Sequence, residues 1–241
     1  MTNLLKESGE FMKYKKSSYH EERKEEKKKL IFHAATEVFI QNGYHKTTVK
    51  DIVDKAGVSV GTFYLYFENK EDIFEKIFDA VTAIHSTISN QVLQHGEYSV
   101  VQRFCRAITA SLWTFEHYKE LTRIMIVEAV GLNPRLEEKR ITAMNQSYLQ
   151  MEGILRELLE NHLIDIPDPK ILALVLEGAS LNVRTYWLLN EINEPLRSYA
   201  YSLNFFILRG LGLNFTSIDV KNSIEKVLEE LDNDPEQYAV F

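Results

Sequence analysis

Cysteine, proline and glycine are all scarce in this chain: one, five and ten residues out of 241. The single cysteine, Cys105, excludes an intramolecular disulfide and a cysteine-based zinc site. It suits a reducing compartment, and a cytoplasmic location is expected. Cys105 stands among apolar residues and reads as a buried, inert thiol. No run approaches the roughly 20 apolar residues that span a bilayer, so no membrane partner is expected. Residues 1–10 lack the apolar stretch of a signal peptide. Catalytic signatures are missing too: no nucleophile elbow, phosphate-binding loop, dinucleotide fingerprint or zinc-protease helix motif occurs. The seven histidines (His20, His33, His45, His85, His95, His117 and His162) show no metal-ligand spacing. Neither an enzyme, a metal nor a cofactor is expected.

What is present is charge, unevenly distributed. The chain carries a net charge of −7. Residues 1–70 hold 13 Lys and Arg against 10 Asp and Glu, a balance of +3; residues 71–241 hold 15 against 25, a balance of −10. A basic module precedes an acidic one, and a nucleic-acid footprint requires only a locally positive surface.

The apolar pattern is helical throughout. Residues 1–22 are polar and aperiodic and are expected as a flexible arm; Lys13, Lys15 and Lys16 there are either a solvated tail or phosphate contacts. Ile31, Ala34, Ala35, Val38 and Phe39 form one stripe of a first helix over about 25–42, stopped by Gly43. A second helix is expected over 48–56, with Thr48 and Asp51 as a capping box. A third is expected over 60–67 behind Ser59 as N-cap, and a fourth from Asn69 to about Gln94. Further helices are expected near 98–117, 119–130, 134–163, 169–191, 195–211 and 218–232. Pro134, Pro169 and Pro195 stand at first helical positions, and Gly212 just past a helix end. The fold class is therefore all-α. The expected domains are an arm (1–22), a small domain in the basic part (23–70) and a larger acidic domain (71–241).

Residues 47–70, TTVKDIVDKAGVSVGTFYLYFENK, carry the functional signal. Two short helices meet at Ala56-Gly57-Val58-Ser59. Ala56 permits close approach, Gly57 takes the positive φ of a sharp turn, Val58 plugs the core and Ser59 restarts the helix. Phe63 and Phe67, four residues apart, suit the core. Gly61 leaves the start of that helix unobstructed, and the hydroxyls of Thr62, Tyr64 and Tyr66 are donors for phosphate oxygens. These residues, together with Asn42-Gly43-Tyr44, Thr47-Thr48-Val49, Asp51-Ile52 and Asn69-Lys70-Glu71, resemble the N-terminal domain of TetR-family regulators. The resemblance covers about a fifth of the chain. One departure is Tyr66, where many members carry His. The resemblance implies that Thr47, Thr48, Val60, Gly61, Thr62, Tyr64, Tyr66 and Lys70 meet a palindromic operator in double-stranded DNA, with Lys28 and Lys29 as added backbone contacts.

Beyond the head, resemblance is in length and helical pattern only. It implies a ligand-binding and dimerisation domain, a homodimer, an unidentified small-molecule effector, and repression relieved by that effector. The candidate dimer residues are Leu176 and Val183 on one late helix and Tyr199, Leu203 and Phe206 on the next; Gly178, Ala179 and Ser180 permit close approach. Phe104, Ile108, Met125, Met144, Tyr148, Met151 and Trp187 are candidate pocket residues, each equally readable as core. Arg123, Arg140 and Arg184 are candidate partners of an anionic ligand or solvated surface, and Glu116 and Glu128 give only a weak indication of a cationic one. The competing reading is an interaction module that kept the helix-turn-helix without DNA binding.

Overall fold

A computed structural model describes residues 2–94, 97–123, 126–127 and 129–233. The described residues form α-helices α1 (Thr2–Asn42), α2 (Val49–Ala56), α3 (Val60–Tyr64), α4 (Lys70–Gln94), α5 (Val100–His117), α6 (Lys119–Arg123), α7 (Pro134–Glu160), α8 (Pro169–Leu189), α9 (Ala200–Gly210) and α10 (Ser217–Asn233), with a 3-10 turn at Leu196–Tyr199 before α9. The chain divides into two compact units between Ile77 and Phe78, inside α4 rather than at its start. No described helix is long and apolar enough to cross a membrane.

The first unit is closed by aromatic packing. Ile31, Ala35 and Phe39 of α1, Ile52 of α2, and Phe63, Phe67, Ile73 and Phe74 are all essentially inaccessible. Phe39 meets Phe74 edge-on at 5.3 Å and stacks on Tyr44 at 5.7 Å. Each such buried ring contributes about 1.5–3 kcal/mol, so a head this small holds together without a disulfide or metal. The helix α1 extends back to Thr2, through the residues expected as an arm. That stretch has no proline and is rich in Lys and Glu, so backbone propensity favours the helix.

The second unit is built around α5. Its buried face, including Phe104, Cys105, Ile108 and Leu112, packs within one cluster with Leu155 and Leu158 of α7, Ala173 and Leu176 of α8, Leu203 and Ile207 of α9, and Val220 and Ile224 of α10. Burial pushes the Cys105 thiol up to about 12, as an inert thiol requires. Helix boundaries follow local chemistry. Asn133 and Asp168 cap α7 and α8 immediately before their prolines, and Ser99 and Gln102 form a capping box on α5. Two segments depart from expectation. Of the helix expected over 119–130, the described residues are α-helical over Lys119–Arg123 and π-helical at 126–127, and Pro195 is the N-cap of the 3-10 turn, not the first residue of a helix. There Leu196 and Ala200 are fully buried, and the tighter turn delivers both to the core.

Candidate nucleic-acid interface

Local hydrogen bonds set the turn between α2 and α3. The Thr48 side chain accepts from the Asp51 amide while the Asp51 carboxylate accepts from the Thr48 amide, closing the capping box. The hydrogen bonds from Thr48 hold the Asp51 carboxyl below the usual range. Gly57 ends α2 at φ +65, where a side chain would strain the backbone. Ser59 caps α3 by accepting from the Thr62 amide at 3.1 Å, and its hydroxyl lies 2.9 Å from that of Thr62.

The result is a short helix with two unlike sides. Phe63 is 0% exposed and anchors α3 to the core. The other side presents Val60 (46% exposed), Gly61, Tyr64 (55%) and Leu65 (76%). The α-helix ends at Tyr64, and a turn through Leu65 and Tyr66 returns Phe67 to the core. Thr48, Lys28 and Tyr66 are exposed or half-exposed, as are Lys29 and Lys46. Leu65 was not among the residues expected at the surface. An aliphatic residue beside two core phenylalanines reads as core, and only its position in the turn turns it outward. Outward-facing Val60 and Leu65 suit apolar contact with thymine methyl groups.

Two expected contact residues are engaged within the head. Thr47 is 1% exposed, and its hydroxyl donates to the Gly43 carbonyl at 2.7 Å. Its side chain closes the α1–α2 turn and is withdrawn from any DNA surface. Lys70 is half-buried, with Nζ 2.9 Å from the carbonyl oxygens of both Tyr44 and Thr47 and 4.1 Å over the Tyr44 ring. Two of its three donors therefore tie the start of α4 to the α1–α2 turn. The Tyr44 hydroxyl completes the hub by donating to Glu71 at 2.7 Å.

In the second unit, the expected pocket residues separate into two groups. Phe104, Ile108 and Trp187 are core residues, 4–8% exposed, and Trp187 donates to the Glu194 carbonyl at 2.7 Å. Met144, Tyr148 and Met151 form a half-buried stripe along α7, where no residue between Glu137 and Ile154 is fully buried. Met125 and Glu128 lie outside the described residues. Glu116 is engaged by the Arg197 backbone and side chain. Arg140 pairs with Glu137, and Arg123 lies 3.8 Å from Glu191 on the surface.

The expected dimer residues also divide. Leu176 (4%) and Leu203 (7%) are buried within the single chain and are corrected to core. Val183 and Tyr199 are partly buried against the same core, and Phe206 is 62% exposed. The outward stripe of α8 is instead Ile171, Val175, Gly178, Asn182, Tyr186 and Leu189.

The comparisons agree with this geometry. Residues 31–77 match the model of the bacterial regulatory proteins of the tetR family. The fatty acid metabolism regulator protein of Bacillus subtilis (strain 168) is 28% identical over 75% of this chain and 93% of its own length. Among solved structures, the fatty acid degradation regulator FadR from Bacillus halodurans superposes with a TM-score of 0.67 at 23% identity, covering 78% of this chain and 97% of its own. FadR from Bacillus subtilis, solved in complex with stearoyl-CoA, does so with 0.65 at 24% identity, covering 75% and 97%. The head, residues 31–77, is thus a domain of the tetR-family regulatory proteins, the helical architecture behind it is shared with these solved regulators, and the chain is a DNA-binding transcriptional regulator.

Proposed function

We propose that the chain is a homodimeric repressor that reads a palindromic operator with α3 and releases it when a small molecule enters the second unit. The observation that carries the DNA-reading part is the two-sidedness of α3: one side locked by Phe63, the other presenting Val60, Gly61, Tyr64 and Leu65 to solvent. Thr48 and Tyr66 supply flanking hydroxyls for phosphates. Lys70 holds the start of α4 against the head and has one donor left for a phosphate oxygen.

Dimerisation is supported by the outward stripes. Ile171, Val175, Tyr186 and Leu189 are 52–60% exposed on α8, and Phe206 is 62% exposed on α9. A monomer gains nothing by exposing so many large apolar groups on two helices, whereas a second copy would cover them. Two copies would carry their α3 helices to successive turns of DNA, about 34–36 Å apart. The half-packed middle of α7, with Met144, Tyr148 and Met151, supports an effector with an apolar body, since methionine repacks around a guest. The relative solved with stearoyl-CoA makes a long-chain acyl compound the effector class to test first. Helix α4 runs unbroken from Lys70 to Gln94, so a shift imposed on its later turns reaches the hydrogen bonds of Lys70. Effector binding weakens operator binding only as far as it prefers the shifted state.

The experiment is selection of bound duplexes from a random pool, followed by a salt titration on the selected sequence. A two-fold symmetric motif is expected, with affinity falling log-linearly in salt at about −0.9 per phosphate contacted. Absence of enrichment from folded, dimeric protein would favour the interaction-module reading.

A further inference from the structure

The inward face of α8 is apolar at its two ends and carries polar residues beside Val183 in its middle. Ala173 and Leu176 precede, and Trp187 and Leu188 follow, all of them core. Between them, on the same side at helical spacing, stand Glu177, Ser180 and Arg184. Arg184 is half-buried as a residue, and its guanidinium is turned toward α5. Nη1 donates to the Ser111 hydroxyl at 3.0 Å, Nε donates to the Ser180 carbonyl at 3.1 Å, and the guanidinium carbon lies 4.3 Å from the Phe115 ring centre. The His85 imidazole of α4 approaches the same Phe115 ring at 4.7 Å.

Among the described residues, no carboxylate lies within 4.0 Å of this guanidinium. Glu177, two turns back on α8, is the acidic group that acts on it, yet the two form no ion pair. Burial pushes Arg184 down to about 10 and His85 down to about 3, and raises the Glu177 carboxyl. At neutral pH the guanidinium is therefore charged and the imidazole is neutral. A partly buried cation held by neutral oxygens keeps an uncompensated charge unless an anion completes it. Arginine's planar fork suits a carboxylate or phosphate, and the hydrogen bond to Ser111 already orients it.

We propose that Arg184 anchors the anionic group of the effector, received beside α5 and α4 with Ser111 orienting the guanidinium and His85 packed on the Phe115 ring. This rests on the effector-released reading above and specifies its ligand as an amphipathic anion. Both a free fatty acid, through its carboxylate, and an acyl-CoA, through its phosphates, present that chemistry.

The test uses the full chain with three probes of one chain length: palmitate, palmitoyl-CoA and hexadecanol. Calorimetric titration is expected to show either anion binding at least ten-fold more tightly than the alcohol. Arg184→Gln is expected to remove that preference by weakening the anions ten-fold or more while hexadecanol is unchanged, and Arg184→Lys to keep most of it. Ser111→Ala, which leaves the cation in place, is expected to weaken the anions about three-fold and covers the case in which Arg184→Gln does not fold. Tight binding of palmitate identifies the carboxylate as the group received, and binding of palmitoyl-CoA alone identifies the phosphates. Equal binding of all three probes, or a preference that survives Arg184→Gln, overturns the assignment and leaves the acyl-effector reading standing. Failure of every probe to bind protein that still holds operator DNA overturns both.

Discussion

At the residue scale, neighbouring polar groups of the head do different work. Tyr64 is exposed and Lys70 is not, so their substitutions are expected to separate. Tyr64→Ala should leave the unfolding midpoint nearly unchanged and lower affinity for all duplexes. Equal affinity of variant and parent in a gel-shift titration would remove Tyr64 from the interface. Lys70→Met should instead cost stability, because the carbonyls of Tyr44 and Thr47 lose a charged donor; about 1.5–3 kcal/mol is expected by urea denaturation. The Tyr44–Glu71 hydrogen bond gives a pH prediction. The Glu71 carboxyl is held low, first by the Tyr44 hydroxyl. A carboxyl with a depressed folded pKa contributes stability above its unfolded pKa, and this is lost as pH falls through the lower folded value. Tyr44→Phe should therefore raise the Glu71 pKa in an NMR titration and make the acid loss of stability shallower. An unmoved Glu71 titration would show that the bond does not form in solution. Thr48, Asp51, Gly57 and Ser59 are all legible in the sequence because caps and turns act over three or four residues. Thr47 was not, since adjacent threonines look alike until the α1–α2 turn takes one inside.

At the element scale, hydrophobic period and capping residues place most helices to within a few positions. The exceptions have local causes. The α3 helix is five residues long because Leu65 and Tyr66 must turn to bring Phe67 inward. The helix α10 is the element whose contribution was least visible. It had no functional reading from sequence, yet it buries Val220, Ile224, Val227 and Leu231. Its polar residues also complete groups on α5: Glu230 pairs with Arg106, which is 3% exposed, and Asp232 accepts from Trp113 Nε1 at 2.7 Å and from Arg197. The helix therefore serves as part of the core of the second unit. Leu231→Ala, at a fully buried position, should cost about 2–5 kcal/mol by thermal or urea unfolding. A loss below about 0.5 kcal/mol would mean that α10 is not docked in solution.

At the scale of the whole molecule, the charge balances of +3 and −10 fall on either side of residue 70, near the break between the two units. A basic head lets a protein with a net charge of −7 approach a polyanion, and the acidic remainder discourages non-specific coating of DNA. Assembly is expected to depend on the outward faces of α8 and α9. Phe206→Glu, at a site 62% exposed, should leave the chain folded and convert a dimer to a monomer in sedimentation or light scattering, with operator affinity falling at least ten-fold. A dimer unaffected by this change would move the interface to another face. Leu176→Ala should behave differently, destabilising the chain before it affects association, because Leu176 lies in the core.

The sequence by itself determined the all-helical class, the order of the helices and the helix-turn-helix with its family. Each rests on rules that operate within one or two turns: apolar period, capping boxes and glycines at positive φ. The tertiary structure decided which of several similar residues face inward. It placed Thr47 inside and Leu65 outside, kept Leu176 in the core while Val175 faces out, and turned the Arg184 guanidinium onto Ser111 of α5. Those outcomes depend on surfaces brought together from distant parts of the chain. Ser111 and Arg184 are 73 residues apart, and Arg106 and Glu230 are 124 apart. Which side of a helix becomes the inside is set by the element that packs on it, and no local pattern carries that information.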